Sequence, residues 1–493
     1  MKIKVLSKSR IMRGLQCEKN LWLNLHKPEL EPKTDVATQM QFDEGNEVGE
    51  LARKLAGNGL LIETAHYEYQ KAHDTTQAAI EAGSKLIFEA AFLHKDLFAR
   101  ADILIKDKHG WHLIEVKKST SIKDYHVPDA ATQAFIIEST GLKLKSISIR
   151  YINNKVTYPE LDDIFKTEDI TNIAREFIST DLQKKLIILR KTVSLKSEPK
   201  IKISEHCDDP FGCPFKGHCW KNVPEKSVFD LPVLRSEKKW NLFNSGYQKI
   251  KDLDPDDYTK STRRAIEVTK ANKLYIDLKA ISKSISAWEY PFYYFDFETI
   301  APAIPRYKGT NPYAQIPFQF SCHVKNNATS KKLDHFEYLH TKTNDPRPEL
   351  IKVMLEGLKD KGSIIAYNKS FEIGVIKKLA EFDPKNKSKL LALVDRFVDP
   401  LPIFREAVYH PDFLGSFSIK SVAPALIGEH LSYDELEIGN GTDAQSIANQ
   451  IMIGNIKGKE LDKAIKSLLV YCRQDTMAMV ELVNWLFENS KRK

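Results

Sequence analysis

The sequence has few cysteines and no long apolar run. Six cysteines in 493 residues are too few for a disulfide scaffold, so we expect a reducing compartment. No apolar run is long enough to span a bilayer, and the first ten residues lack the apolar core of a signal peptide. We therefore expect a cytoplasmic protein without a membrane partner.

A strong excess of charge of one sign is also missing. The chain has 74 Lys and Arg against 66 Asp and Glu, which gives a net charge of +8. This balance is compatible with an anionic partner such as nucleic acid and does not require one. The hydrophobic fraction of 42% and the charged fraction of 28% are typical of soluble globular domains. Neither internal repeats nor low-complexity tracts occur.

The pattern of apolar residues divides the chain into three parts. We predict strands at residues 85–92, 99–106, 111–116, 145–152, 292–298, 315–323 and 363–367. We predict helices at residues 129–139, 348–358, 371–382, 419–427 and 460–488. The stretch between the two α/β patterns is mainly helical and polar. These patterns predict a multidomain α/β protein with domains at residues 1–220, 221–288 and 289–493.

Two acids interrupt the most apolar strand of the chain. Asp296 and Glu298 lie in the run FYYFDFET and, being two apart, point to the same face of a strand. Unpaired buried carboxylates are costly, so the pair requires a cation, and a divalent metal is the simplest one. The alternative is that both acids are exposed at the surface, which is the commoner setting of an isolated Asp-x-Glu motif.

Two later segments add three further candidate residues. An apolar strand ends at Asn368, and the helix that follows has Glu372 in its first turn. Glu372 therefore faces the carboxyl end of the strand, which is where α/β sheets place ligands. Tyr471 and Asp475 are four apart in a helical pattern and share one face. Four acids from three elements can hold two divalent ions about 3.5–4 Å apart, as in in-line phosphoryl displacement. Tyr471 would orient the attacking water.

The residues from Asp296 to Asp475 resemble the DnaQ-like 3′→5′ exonucleases of the ribonuclease H-like superfamily. Three motifs match in order: Asp-x-Glu, Asn-x-x-x-acid and Tyr-x-x-x-Asp, the last typical of the tyrosine subtype. The resemblance covers residues 289–493 and implies a ribonuclease H-like α/β exonuclease domain that uses Mg²⁺ or Mn²⁺. The second-motif acid is usually Asp, and here it is Glu372, whose longer side chain would change the metal geometry.

A second constellation lies near the N-terminus. Asp102 belongs to one strand of a predicted hairpin, and Glu115 and Lys117 share a face of the other strand. The two acids are candidate metal ligands, and Lys117 would position or help to deprotonate water. Gln133 follows on the next helix. This arrangement resembles the signature of the PD-(D/E)xK nuclease fold. The alternative is a surface hairpin with ordinary charge alternation.

Four cysteines frame this first domain. Cys207, Cys213 and Cys219 recur at intervals of six, and Cys17 lies far upstream. Such spacings are wide for zinc, and four thiolates suit a [4Fe–4S] cluster. The alternative is a zinc ion bound by the three clustered cysteines and by one histidine. The candidate histidines are His206 and His218.

With these cysteines, residues 1–220 resemble the iron–sulfur RecB-like nucleases, which include a CRISPR-associated family. The resemblance implies that a [4Fe–4S] cluster joins the opening helix to the end of the domain. Relatives often have a metal-binding His on an early helix, and this chain offers Glu47 or Glu50 there. Their Gln-x-x-x-Tyr is here Gln133 followed four residues later by Ile137.

The leading hypothesis is a metal-dependent nuclease with two sites that hydrolyses phosphodiester bonds. Its substrate would be DNA, or RNA, that is single-stranded or has free ends, in nucleic-acid processing, repair or defence. One alternative keeps only the C-terminal site active, on RNA. Another treats one or both sites as degenerate and leaves a nucleic-acid-binding scaffold. Residues 242–253 faintly resemble a helix–hairpin–helix module, and a plain helical spacer is the alternative.

Overall fold

The computed structural model describes residues 5–491, which divide into two compact units. Unit 1 consists of Met1–Asn222 and Pro302–Tyr313, and unit 2 consists of Val223–Ala301 and Ala314–Lys493. Both units contain helices and sheets, so the prediction of a multidomain α/β protein is confirmed. Residues 223–301 form one unit with residues 314–493, whereas the sequence pattern predicted a separate connector at 221–288.

Unit 1 is built on a mixed seven-stranded sheet. Its strands are β1 (Leu6–Ser7), β2 (Leu60–Leu61), β3 (Leu86–His94), β4 (Leu97–Asp107), β5 (Gly110–Lys117), β6 (Leu144–Ile152) and β7 (Phe165–Asp169). The order is β2-β3-β4-β5-β6-β7, and β1 pairs with β4. Strands β3, β4 and β5 form an antiparallel meander, and β6 runs parallel to β5. The strands predicted at residues 85–92, 99–106, 111–116 and 145–152 are confirmed.

Helices cover the sheet of unit 1. They are α1 (Lys8–Gln16), α2 (Glu18–His26), α3 (Val36–Ala56), α4 (Tyr69–Glu81), α5 (His126–Ser139), α6 (Thr171–Phe177), α7 (Gln183–Val193) and α8 (Lys216–Cys219). A π-helical turn, Ile178–Leu182, joins α6 to α7. Helix α5 packs on β3, β4 and β6, and fully buried side chains such as Ile87, Leu104 and Ile136 form the core. The core therefore holds the meander rigidly beneath α1 and α5.

Unit 2 has a mixed five-stranded sheet and a two-stranded one. The strands are β8 (Tyr275–Ile276), β9 (Phe292–Ile300), β10 (Ile316–Lys325), β11 (Asp334–Leu339), β12 (Ile364–Ile365), β13 (Phe397–Val398) and β14 (Val408–Tyr409). The larger sheet has the order β11-β10-β9-β12-β13. Strand β10 is antiparallel to both neighbours, whereas β12 runs parallel to β9 and β13. Strand β9 is therefore central.

The helices of unit 2 follow the predicted order. They are α9 (Ser236–Asn244), α10 (Lys260–Ala271), α11 (Leu278–Ile285), α12 (Arg347–Gly357), α13 (Ser370–Phe382), α14 (Lys387–Val394), α15 (Leu401–Ala407), α16 (Ile419–Leu426), α17 (Gly441–Met452) and α18 (Gly458–Ser490). After α9, residues Ile250–Asp252 form a 3-10 turn where a helix–hairpin–helix would need a second α-helix. Among the helices of residues 5–491, none has the length and apolar character needed to cross a membrane.

The entry into β12 depends on one glycine. Gly362 has a φ of +89°, and a Cβ built there would lie 2.1 Å from the Pro291 carbonyl oxygen. Both the backbone conformation and the close approach exclude a side chain.

We predict that Gly362→Ala lowers the free energy of unfolding of unit 2 by about 2 kcal/mol or more. The matched control is Gly374→Ala in α13, where a Cβ meets nothing within 4 Å. That control should be neutral or raise the free energy of unfolding by about 0.5–1 kcal/mol, because alanine is the better helix former. Urea unfolding followed by circular dichroism measures both, and equal effects of the two substitutions would contradict the prediction.

Candidate functional site

Strand β9 presents Asp296 and Glu298 on the face that α18 covers. The odd-numbered aromatics Tyr293, Phe295 and Phe297 pack into one buried cluster on the opposite face. The alternation of a strand then directs both acids to the other face. Helix α18 packs on β9 and β10, and the backbone of Asp296 pairs with Ser321 of β10. The two acids therefore lie on one face of a strand, as the spacing predicted, and that strand is the central one of its sheet.

Glu372 reaches the same region from the first turn of α13. The turn into this helix is fixed by Asp399, whose carboxylate accepts hydrogen bonds from the backbone N–H groups of Asn368 and Lys369, both at 3.1 Å. Asn368 adopts a φ of +73°, which lets the chain turn from β12 into the helix. Glu372 is 2% exposed, and its Oε2 has no hydrogen-bond partner among the described residues. A buried carboxylate oxygen without a donor is a site for a proton or a cation.

Helix α18 supplies Tyr471 and Asp475, one turn apart and both buried. The Tyr433 hydroxyl donates a hydrogen bond of 2.5 Å to Asp475 Oδ1. This bond fixes the orientation of the carboxylate, and a second side-chain hydrogen bond, from Tyr471, also lowers the pKa of Asp475. The sequence analysis did not identify Tyr433, because no motif joins it to the helix 42 residues further on.

The four carboxylates interact strongly with one another. Burial raises the pKa of Asp296 well above its usual range, and repulsion by Asp475, Glu298 and Glu372 adds to the effect. Burial and the Asp475 charge raise the pKa of Glu298 in the same way. Burial also raises the pKa of Asp475 to about 6 and, with a smaller contribution from Asp399, that of Glu372 to about 8. Four acids that resist ionisation together lack enough positive charge around them.

The donor set fits a divalent metal. One carboxylate oxygen each from Asp296 and Glu298 and the Cys472 sulfur lie within 4.8 Å of one another. The unpartnered Glu372 oxygen and the raised carboxyl pKa values are what a group of metal ligands shows when only protons balance its charge. The sequence analysis treated Cys472 as a small buried residue, and it is fully buried. Burial raises the pKa of the Cys472 thiol well above its usual range, so the thiol is neutral, and its S–H donates to the Asp296 carbonyl oxygen at 3.9 Å.

Lys420 is a second residue that the sequence analysis did not assign. It lies in the first turn of α16, and its Nζ donates to the Tyr471 hydroxyl at 3.1 Å. Its charge acts on Asp475, Glu298 and Asp296, and it lowers the pKa of each of these acids against the effect of burial. The sequence held no signal for this contact, because a lysine in a helical first turn is usually solvated.

In unit 1, the meander brings Asp102, Glu115 and Lys117 together. Asp102 Oδ2 accepts a hydrogen bond of 2.7 Å from the Val116 backbone N–H. Lys117 Nζ donates to Glu115 Oε1 at 2.6 Å, and the Gln133 side-chain amide donates to Glu115 Oε2. The four residues that the motif predicted therefore lie around the paired strands β4 and β5, with Gln133 fully buried.

Two residues that the sequence analysis missed complete this group. Lys8, the first residue of α1, donates to Glu115 Oε1 at 3.0 Å and forms an ion pair with Asp129 at 3.1 Å. Asp129 of α5 also accepts a hydrogen bond from Lys117. Burial alone would raise the pKa of Glu115, but Lys117 and Lys8 hold it well below its ordinary value. Burial and the Glu115 charge raise the pKa of Asp102 well above the ordinary value of an aspartic acid.

The two early-helix acids have different surroundings. Glu47 forms an ion pair of 3.1 Å with Arg306, which unit 1 includes through Pro302–Tyr313. Glu50 lines a cleft of about 680 Å³ together with Asp102 and Lys117. Of the two, Glu50 is therefore the one that shares a cleft with the predicted site.

The N-terminal acids are less ready to bind a metal than those of unit 2. Both Glu115 oxygens accept hydrogen bonds, and two lysines balance its charge. Among residues 5–491, no group of three metal-ligating atoms within 4.8 Å includes Asp102 or Glu115. A metal at this site would have to displace a lysine from Glu115.

The four predicted cluster cysteines line one cavity in unit 1. These are Cys17, Cys207, Cys213 and Cys219. Cys17 ends α1 and precedes α2, and the Cys213 backbone N–H donates to the Cys207 carbonyl at 2.8 Å. Burial raises the pKa of the Cys213 thiol to about 11, with smaller contributions from the other three thiols. All six cysteines of the chain are free thiols.

The spacing of these sulfurs tests the fit of a cofactor. A tetrahedral zinc with Zn–S bonds of about 2.3 Å holds its sulfurs about 3.8 Å apart. Within the described part of the chain, no three cysteine sulfurs lie within 4.8 Å of one another, although the four share a cavity. His218 is engaged in an ion pair with Glu198 at 3.0 Å, whereas His206 lines the cavity. The four thiols suit a [4Fe–4S] cluster, and three of them with His206 suit a zinc ion, so the donor set fits either group.

Comparisons with known proteins give limited information. A family model described as a domain of unknown function, DUF2779, matches residues 293–418. Uncharacterized protein UU173 of Ureaplasma parvum is 28% identical over 227 residues, which cover 41% of this chain and 32% of that protein. Uncharacterized protein MG366 of Mycoplasma genitalium is 27% identical over 216 residues, which cover 40% of this chain and 32% of that protein. The chain thus spans about a third of the length of these curated relatives.

Two solved structures of one protein also match in part. The chain is 16% identical to the alkaline exonuclease LHK-Exo from Laribacter hongkongensis, with 39% of this chain and 91% of that chain covered and a TM-score of 0.19. For LHK-Exo in complex with dAMP the coverage is 38% and 89%, the identity is 16% and the TM-score is 0.23. Both TM-scores are low, and the likeness supports no conclusion about activity.

The raised pKa of Glu372 predicts how stability depends on pH. Its carboxyl has a pKa of about 8 in the folded protein and about 4.3 when unfolded. Between about pH 4.3 and about pH 8 this carboxyl holds a proton in the folded chain and has lost it in the unfolded chain. Each unit by which the pH rises therefore lowers the free energy of unfolding by about 1 kcal/mol. Without metal, Glu372→Gln should therefore become progressively more stable than wild type from pH 5 to pH 8.

Urea unfolding in the presence of a chelator measures this difference, and Mn²⁺ should reduce the pH dependence of the wild type. The control is Glu381→Gln on the same helix, since Glu381 is exposed and pairs with Lys378 at the surface. A constant difference between Glu372→Gln and wild type across the range would contradict the prediction.

Proposed function

We propose that the chain is a metal-dependent nuclease whose main active site is the carboxylate group of unit 2. The observation that carries the proposal is a set of four acids drawn from three elements in the order of the DnaQ-like motifs. Asp296 is partly buried, and Glu298, Glu372 and Asp475 are buried. Their raised pKa values and the unpartnered Glu372 oxygen indicate a site that needs cations. Nucleic acid is the substrate that this chemistry indicates.

The residues of the site have distinct roles in this proposal. Asp296, Glu298, Glu372 and Asp475 would hold Mg²⁺ or Mn²⁺. When bound, such ions supply Lewis-acid activation of water and charge stabilisation at the leaving oxygen. Tyr471 would donate a hydrogen bond that orients the attacking water, and Tyr433 would keep Asp475 in its ligating orientation. Hydrolysis from the 3′ end is proposed from the resemblance to DnaQ-like exonucleases alone.

Unit 1 would provide a second nuclease site of the PD-(D/E)xK type. Asp102 and Glu115 are its proposed metal ligands, Lys117 its proposed general base or water-positioning group, and Gln133 the residue that orients Glu115. Glu50, which lines the same cleft, is the early-helix candidate for a further ligand.

A second candidate function for unit 1 is to hold the nucleic acid without cutting it. The specific observation is that Lys8 and Lys117 already balance the charges of Glu115 and Asp129. In this alternative only the C-terminal site hydrolyses its substrate, DNA or RNA, and the lysines contact phosphate.

Activity measurements on separate variants distinguish these proposals. We expect Asp296→Asn to lower the rate of degradation of single-stranded DNA or RNA at least about 100-fold with Mn²⁺, since several kcal/mol of transition-state stabilisation are lost. A 5′-labelled strand should shorten from its 3′ end in wild type and in Asp462→Asn, an exposed control on α18. Wild type inert with every divalent metal, or Asp296→Asn as active as wild type, would refute the main proposal.

Glu115→Gln tests unit 1 in the same assay, with the exposed Asp162→Asn as its control. If unit 1 is a nuclease, an activity that survives Asp296→Asn should disappear in the double variant with Glu115→Gln. Should the double variant degrade nucleic acid no more slowly than Asp296→Asn alone, unit 1 would have the binding function instead.

We further propose that Cys17, Cys207, Cys213 and Cys219 hold a [4Fe–4S] cluster. The cavity that all four cysteines line supports a group held by four thiolates. Protein isolated without oxygen should be brown, with about four irons per chain. Cys213→Ser should lose the iron, whereas Cys322→Ala, in the core of unit 2, should keep it. Colourless protein with one zinc per chain would favour the zinc alternative.

A further inference from the structure

Strand β10 presents polar side chains to the helix that covers it. Gln319, Ser321 and His323 alternate along the strand, and they are 0%, 0% and 7% exposed. The residues between them, Phe320 and Cys322, belong to the apolar cluster on the opposite face of the sheet. A strand face that is buried beneath a helix usually carries apolar residues. The polar residues of β10 therefore contribute something other than hydrophobic packing.

A β-bulge brings these polar residues next to the site acids. The register of β10 against β9 shifts by one residue between Pro317 and Gln319. After the shift, Gln319 lies opposite Glu298 and Ser321 lies opposite Asp296. Directly opposite residues of an antiparallel pair share a face, so the polar residues lie beside the acids under α18. Without the bulge, the apolar residues of β10 would occupy that face.

Each of these polar side chains is hydrogen-bonded to α18. The Gln319 side-chain amide donates to the Leu468 carbonyl oxygen at 2.9 Å. The Thr476 hydroxyl, which is fully buried, shares hydrogen bonds of 2.8 Å with the Ser321 hydroxyl and with His323 Nδ1. Burial lowers the pKa of His323 to about 4, so its imidazole is neutral near pH 7. We call this set of residues the polar seam.

The polar seam joins the two elements that supply most of the site. On α18, Thr476 directly follows Asp475, and Leu468 lies on the turn before Tyr471. The hydrogen bonds of the seam therefore enclose the part of the helix that carries both site residues. On the sheet, the seam starts from the β10 residues that lie opposite the two acids of β9.

Buried hydrogen bonds define the position of a helix more narrowly than apolar contacts do. If α18 moved along the sheet by one turn, about 5.4 Å, the buried groups of the seam would lose their partners. Apolar side chains of similar volume would repack in several positions at a smaller cost. Carboxylates that bind a metal must be held to within about 0.5 Å of the required geometry.

We propose that the polar seam positions α18 on the sheet for metal binding, with Thr476 as its central positioning residue. The seam sets the distance from Asp475 to Asp296 and Glu298, and Thr476 acts only through the position of Asp475. This inference rests on the proposed function of unit 2.

Thr476→Val tests the proposal, because valine has nearly the same shape and lacks the hydroxyl. We expect kcat to fall about 10-fold with little change in KM, and Mn²⁺ affinity to fall about 3–10-fold in titration calorimetry, since misplaced ligands weaken both. The matched control is Thr262→Val on α10, a buried threonine whose hydroxyl donates to the Pro232 carbonyl at 3.1 Å. Thr262→Val should keep the wild-type kcat and Mn²⁺ affinity. Wild-type values in Thr476→Val would overturn the proposal.

An apolar seam separates positioning from stability. The triple variant Ser321→Ala, His323→Phe and Thr476→Val removes both partners of the hydrogen bonds around Thr476. Its urea midpoint should equal or exceed that of Thr476→Val, because no buried group of these three loses a partner that the others retain. Its kcat and Mn²⁺ affinity should nevertheless stay as low as those of Thr476→Val. Recovery of wild-type kcat and Mn²⁺ affinity together with stability would show that the seam is only structural, and would overturn the proposal.

Two further variants keep the test decisive. Thr476→Ser retains the hydroxyl and should recover most of kcat, whereas a loss equal to that of Thr476→Val would overturn the proposal. If Thr476→Val does not fold, as judged by circular dichroism, Ser321→Ala replaces it and should lower kcat and Mn²⁺ affinity about 3-fold or more. Wild-type values in Ser321→Ala would then overturn the proposal. Failure of the proposed function is a separate outcome, recognised when Asp296→Asn keeps full activity and the wild-type Mn²⁺ affinity.

Discussion

Buried carboxylates need positive charge, and both units of this protein are organised around that requirement. A carboxylate removed from water must take up a proton, pair with a basic side chain or bind a metal, because desolvation otherwise costs several kcal/mol. In each unit a central sheet with a buried core holds acids at positions where water cannot hydrate their charge. The arrangement of helices over these sheets decides which form of compensation is present.

The two units differ in this respect. In unit 1 Lys8 and Lys117 pair with Glu115 and Asp129. Glu115 therefore remains ionised, and both of its oxygens accept hydrogen bonds. In unit 2 the acids outnumber the cations near them, and the pKa values of Asp296, Glu298 and Glu372 are raised most, so protons make up the difference there. A divalent ion has little to displace in unit 2 except protons, whereas in unit 1 it competes with side chains. This contrast is the physical reason for considering unit 2 the main active site.

Sequence reasoning found those parts of the site that local spacing determines. The position of Asp296 and Glu298 on one strand face, and of Tyr471 and Asp475 on one helix face, follows from periodicity. The contacts of Lys8, Lys420 and Tyr433 depend on how distant helices and loops pack, and no spacing encodes them. The strand β11 was missed for the same reason, since polar segments acquire their place through tertiary contacts.

The segment Pro302–Tyr313 gives the chain an unusual genetic constraint. It follows directly on β9, which carries two site acids of unit 2, yet it belongs to unit 1, where Arg306 pairs with Glu47 and the Ala303 N–H donates to Glu44 at 3.1 Å. Neither unit is therefore a continuous stretch of gene. A single recombination event cannot exchange one unit for that of another protein without dividing its partner. Any continuous stretch of gene that encodes the whole of one unit therefore also encodes part of the other.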